Sequence, residues 1–113
     1  MGTPAARSAP APVDLTVRLA HNLKTAALTM EMDGKPLLNE SIQGTRNKLR
    51  IQGSFTRHLP ITGGKHVFTV SVQDEGGKRW NTATSRRLEA GSEATLFIEV
   101  KGIIKKSLDV TWY

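Results

Sequence analysis

From Val13 onward, apolar and polar residues alternate in short runs cut by glycine-rich reversals, the period-two pattern of half-buried antiparallel strands. Val13, Leu15, Val17 and Leu19 share one face and Asp14, Thr16 and Arg18 the other, so a first strand begins at Val13 and ends near His21 and Asn22. Leu28, Met30 and Met32 repeat the alternation up to Asp33-Gly34. That pair suits a two-residue hairpin, because both central positions of a type I′ turn need positive φ. The return strand, Lys35 to Ile42, belongs at a sheet edge, since Pro36 has no amide to donate. Helical spacing also occurs at Leu23, Ala26, Ala27 and Met30, but the alternation running directly into Asp33-Gly34 favours a loop and then a strand.

Further along, Leu49 and Ile51 point one way and Arg46, Lys48 and Arg50 the other, which predicts one strand bearing a cationic ladder. Phe55, Leu59 and Ile61 follow, interrupted by Arg57 and Pro60. Phe68, Val70 and Val72 mark the clearest buried strand, bounded by Thr62-Gly63-Gly64-Lys65 and Asp74-Glu75-Gly76-Gly77. Trp80, Thr82 and Thr84, then Leu96, Ile98 and Val100, and finally Leu108, Val110 and Trp112 complete about eight candidate strands. Turn signals at this spacing predict an all-β antiparallel sandwich, with a small barrel as the alternative. The expected core contains Leu15, Val17, Met30, Phe68, Val70, Leu96, Ile98 and Val110.

The chain has 113 residues, a length suited to one domain with one core. Residues 1–12, rich in Ala and Pro, read as a leader or linker, and residues 13–113 as the single sandwich domain. Met1-Gly2 is compatible with a start placed after a removed signal peptide. Lys and Arg number 16 against 10 Asp and Glu, giving +6. Residues 1–45 carry four bases and four acids, so the whole surplus lies in residues 46–113. That surplus suits phosphates, acidic glycans, anionic lipids or acidic proteins. Cysteine is absent, which removes disulfides and thiolate chemistry. No apolar run approaches the ~20 residues of a bilayer span.

The succession MDGKPL, LPITGGKHVFTVSVQDEGGK, LEAGSEATLFIEV and SLDVTWY resembles the immunoglobulin-like and PEGA-type β-domains of bacterial envelope proteins, across residues 13–113. In those domains a step such as Gly64-Lys65-His66 starts a strand carrying central core residues. The PEGA tetrapeptide itself is absent, and Leu88-Glu89-Ala90-Gly91 only echoes it. The resemblance implies a noncatalytic extracytoplasmic module, periplasmic or at the cell surface, and carries over no functional residues.

Catalytic, cofactor and metal signatures are missing from the sequence. His21, His58 and His66 have no ligand spacing, and no GxSxG elbow occurs. Gly63-Gly64-Lys65 is too short for a phosphate loop and leads into a strand. Asp74-Glu75 reads as a solvated turn. The expected activity is binding, without turnover or cofactor. Lys78-Arg79-Trp80-Asn81 and Arg86-Arg87 combine cations with an aromatic, so Arg79, Trp80, Arg86 and Arg87 join Arg46, Lys48 and Arg50 as the candidate binding surface. Trp80 shares parity with Thr82, Thr84 and Leu88 and Trp112 with Leu108 and Val110, so both also read as core residues, whereas Phe97 lies opposite Leu96 and Ile98. The ladder equally reads as a solvated strand edge protected by charge. The expected partner is a protein, or an anionic glycan or other envelope component. A basic nucleic-acid-binding β-barrel is the alternative, although few aromatics stand free for base stacking.

Overall fold

The computed structural model describes residues 11–47, 50–102 and 105–113. Among these residues nine strands make two stacked sheets: β1 (Val13–His21), β2 (Thr25–Met32), β3 (Lys35–Gln43), β4 (Thr45–Asn47), β5 (Arg50–Ile61), β6 (Gly64–Asp74), β7 (Arg79–Leu88), β8 (Glu93–Lys101) and β9 (Ser107–Trp112). One sheet runs β4-β5-β1-β8-β9 and the other β3-β2-β6-β7. The architecture is a sandwich with no closed barrel, which removes the barrel alternative. Residues 20–32 form the end of β1, a short loop and β2, so the helical spacing there is not used. All neighbouring pairs are antiparallel except β1 and β8, which run parallel from Asp14 opposite Glu93 to Ala20 opposite Glu99.

Alternation decides which side of each strand is buried. Val13, Leu15, Val17 and Leu19 of β1, with Leu96, Ile98 and Val100 of β8, meet Leu28 and Met30 of β2 and Phe68, Val70 and Val72 of β6 in one core. Seven of the eight expected core residues are fully buried. Val110 is half-buried, because β9 is an edge strand packed against the core from one side. Trp80 and Trp112 are also half-buried against it. Phe68 meets Trp112 edge to face with ring centroids 5.2 Å apart, and the Trp112 indole donates to Thr84 Oγ1 at 3.0 Å.

The Asp33-Gly34 hairpin has the geometry its sequence demands, with φ of 54° and 81°. Asp33 also ties the turn to β6. Its amide donates to the Val67 carbonyl at 2.8 Å, and its carboxylate accepts the Val67 amide at 2.9 Å and His66 Nδ1 at 2.6 Å. A register shift between Met30 and Glu31 accommodates Pro36 in edge strand β3, and Leu37 there packs against the core beside Leu38. Pro60 lies where β5 has no strand on its far side among the described residues, the placement a residue without an N–H needs.

The expected single strand from Arg46 to Gln52 is corrected. A reversal separates β4 from β5, and Arg46 sits opposite Ile51 while Asn47 sits opposite Arg50. Because adjacent residues of a strand take opposite faces, Arg46 shares a face with Ile51 and Arg50 takes the other. No one-sided ladder of Arg46 and Arg50 exists, and Lys48 and Leu49 lie outside the described residues.

Two outcomes follow from this packing. Val70 has 0 % exposure, so Val70→Ala should destabilise by roughly 1–3 kcal/mol through lost burial and a residual cavity, read from denaturant melts. The second concerns pH. The hydrogen bond to Asp33 raises the His66 pKa above 6.5, and the bonds from Val67 and His66 lower that of Asp33 below 3.8. The His66 contribution is complete below pH 6.5 and is lost as pH rises through its folded pKa. The Asp33 contribution is present above pH 3.8 and is lost as pH falls through its folded pKa. The clamp is therefore strongest between these values. His21 works in the opposite sense, since burial lowers its pKa and its protonation on unfolding costs stability below pH 6.5. The difference in melting temperature between wild type and His66→Asn cancels the His21 effect, and this difference should shrink between pH 6 and pH 9.

Candidate anion-binding groove

Strand directions sort the charges along the long axis of the sandwich. Lys24, Arg46, Arg50, Lys78, Arg79, Lys101, Lys105 and Lys106 gather at the end where β1 and β8 finish, against Asp74, Glu75, Glu99 and Asp109. At the opposite end Lys35, Lys65, Arg86 and Arg87 meet Asp14, Glu31, Asp33, Glu89 and Glu93. The surplus that the sequence assigns to its second half is thus concentrated at one tip, and Lys24 joins it from the first half.

The candidate residues of β7 do not form one surface. Arg79 and Arg87 take the outer face near the two ends of the strand, whereas Arg86 shares the inner parity of Trp80, Thr82 and Thr84 and lies 5.4 Å from the Trp112 ring centre. Arg87 faces Lys65 directly across the β6 and β7 ladder. Trp80 supports the basic tip instead of exposing a flat ring: its indole donates to the Lys106 carbonyl at 3.3 Å, and Lys78 lies 5.3 Å from its ring centre. Phe97, on the outer face, meets Tyr113 edge to face at 6.3 Å.

At the basic tip the loops after β1 and β8 are tied together. Asn22 donates to the Gly102 carbonyl at 2.8 Å, and Lys106 Nζ donates to Asn22 Oδ1 at 3.3 Å. Beside them is a cavity of about 580 Å³ lined by Arg50, Lys101 and Lys106 with Asn22, Ile51, Gln52 and Gly102. Lys101 also lies 3.8 Å from Glu99 and 3.5 Å from Asp109, while among the described residues no carboxylate lies within ion-pair distance of Arg50 or Lys106. A second cavity of about 680 Å³ shares Asn22, Gln52, Lys101 and Gly102 with the first and continues over Ala20. Ala20 forms its low floor because it sits between Ser54 on β5 and Glu99 on β8.

His21 closes the inner wall of this groove at 5 % exposure. The Leu23 amide donates to its Nδ1 at 3.1 Å, so the neutral ring carries its proton on Nε2, and Nε2 has no hydrogen-bond partner among the described residues. Gly53 lies directly opposite in the ladder. Sequence spacing reveals Arg50 and Arg46 but misses Lys101, Lys105 and Lys106, although the run Lys101-Gly102 to Lys105-Lys106 between two alternating segments carries the signal of a basic loop.

One other cluster has the outline of a nucleophile relay: Asp33 at His66 Nδ1, and Thr62 Oγ1 3.4 Å from Nε2. Its hydrogen bonds define a different role. Nε2 points at the Thr62 carbonyl at 2.8 Å, so both ring nitrogens donate to acceptors and no lone pair remains to take the hydroxyl proton. Raised basicity and these two acceptors fit a structural imidazolium. Among the described residues no group of three or more His, Asp or Glu is arranged to hold a metal ion, and no helix is long and apolar enough to cross a membrane.

Comparison with protein-family models finds no match, and comparison with curated proteins finds no sequence similar enough to match.

The groove's construction has a direct test. A Cβ at residue 53 would overlap the His21 imidazole and lie 2.7 Å from the Gln43 carbonyl oxygen. Gly53→Ala should therefore destabilise by about 1–3 kcal/mol and shift the His21 ring resonances, as seen by denaturant melts and NMR.

Proposed function

We propose that the chain is a noncatalytic interaction module of the cell envelope or cell surface that engages an anionic partner through its basic tip. The observation that carries this reading is the convergence of Arg50, Lys101 and Lys106 on one cavity with no carboxylate in its lining. Concave placement matters, because low-dielectric walls focus the field of like charges and make an anion's contacts shorter and stronger than on an open strand face. The envelope assignment rests on the resemblance to envelope β-domains. A protein or an anionic glycan satisfies the same cations. Nucleic acid is the less favoured partner, because Phe55, Phe68, Trp80 and Trp112 are packed against or within the core, which leaves Phe97 and Tyr113, set edge to face on each other, as the aromatics of the outer face.

Elution from a sulfated-glycan matrix and from immobilised single-stranded DNA, each over a salt gradient, tests the reading. Wild type should be held more strongly by the glycan. An Arg50→Ala/Lys106→Ala variant, which leaves the Lys101 ion pairs in place, should lose about tenfold in affinity per cation at low salt. An Arg86→Ala/Arg87→Ala variant should elute with wild type. Identical elution of the Arg50/Lys106 variant and wild type overturns the proposal.

A further inference from the structure

The two joined cavities differ in chemistry, and the difference narrows the ligand. Over Ala20 the walls present Thr45, Gln52 and Ser54 on one side and Glu99 on the other. Amides and hydroxyls both donate and accept, and a carboxylate accepts strongly, the set that matches hydroxyl groups. Round the tip, Lys101, which lines both cavities and lies 3.8 Å from Glu99, is joined by Arg50 and Lys106. A polymer with an anionic group on every unit would bring negative charge against Glu99. A ligand with a neutral, hydroxyl-rich body and an acid at one end meets complementary groups along the whole path. Volumes of about 680 and 580 Å³ fall in the range of small-ligand sites, and both are open grooves that an elongated ligand can enter from the side.

Resting on the binding reading above, the geometry points to an acidic oligosaccharide as the ligand: neutral sugar rings lie over Ala20, and a carboxylate, sulfate or phosphate substituent is held by Arg50, Lys101 and Lys106. No aromatic ring lines either cavity, so affinity comes from hydrogen bonds and charge and is salt-sensitive.

NMR titration of the whole chain with sialyllactose, lactose and oligothymidylate separates the possibilities. Sialyllactose, with one acid on a neutral body, should shift the amides of Ala20, Gln52, Gly53 and Lys101 and bind at least about tenfold more tightly than lactose. Ala20→Leu raises the floor of the neutral section and should lower sialyllactose affinity about tenfold. Gln52→Ala, which removes an amide without adding bulk, should weaken sialyllactose in the same direction and keeps the test intact if Ala20→Leu does not fold. Unchanged sialyllactose affinity in both variants, or tighter binding of oligothymidylate than of sialyllactose, overturns the saccharide assignment. If Arg50→Ala/Lys106→Ala also leaves matrix elution unchanged, the anionic-partner reading falls with it.

Discussion

Parallel pairing of β1 with β8 is the constraint on which the functional end of the molecule depends. Two parallel strands finish at the same end of a sheet, so the Asn22 to Lys24 loop and the Gly102 to Lys106 loop leave side by side. An antiparallel β8 would send the second loop, with Lys105 and Lys106, to the opposite tip, where Asp14, Glu89 and Glu93 lie. The observed register also sets the groove floor, since it places Ala20 beside Glu99 while the antiparallel partner β5 places Ser54 on its other side. A small residue flanked by two polar ones makes a depression, and the loop contacts of Asn22 fix its outer rim.

Open sheet edges are the risk of this architecture, and charge turned inward is how the chain manages it. On β5 and β3, which are stacked at one side, Arg57 and Glu40 have inward parity and bond to each other across the gap between the sheets. On the other side Arg86 turns inward from β7 and lies over Trp112 of β9. A foreign strand added at either edge would have to desolvate or displace these groups, which disfavours edge-to-edge association. This gives Arg86 and Arg57 structural reasons to be cationic, separate from any ligand. Arg50 and Lys106 lack carboxylate partners among the described residues, although Lys106 also donates to Asn22, and both line the cavity with Lys101.

Fold class, the start and end of β1, the Asp33-Gly34 turn and the central strand at Phe68, Val70 and Val72 were legible because each is written in local alternation or local φ demand. The cationic ladder was misread for the same reason. Arg46, Lys48 and Arg50 alternate perfectly with Leu49 and Ile51, and nothing in a period-two pattern reveals that the chain reverses within it. Arg79, Arg86 and Arg87 are close in sequence, yet parity and a ten-residue strand separate them. The groove was illegible for the complementary reason: Ala20, Gln52, Glu99 and Lys106 are distant in sequence, and only the pairing of β5, β1 and β8 brings them together. Clustering along the chain is a poor guide to clustering in space when the elements are strands, because each residue added moves a side chain about 3.3 Å and to the other face.

The two buried histidines illustrate how one side-chain type is given opposite tasks at opposite tips. His66 is surrounded by acceptors, the Asp33 carboxylate and the Thr62 carbonyl, and is stabilised as a cation that pins a hairpin. His21 accepts the Leu23 amide and is held neutral by burial, so no positive charge is stored behind the groove. The cations of the groove are arginine and lysine. Stability and ligand attraction are thereby carried by different groups: the His66 and Asp33 pair pins the hairpin at one tip, while arginine and lysine set the field at the other.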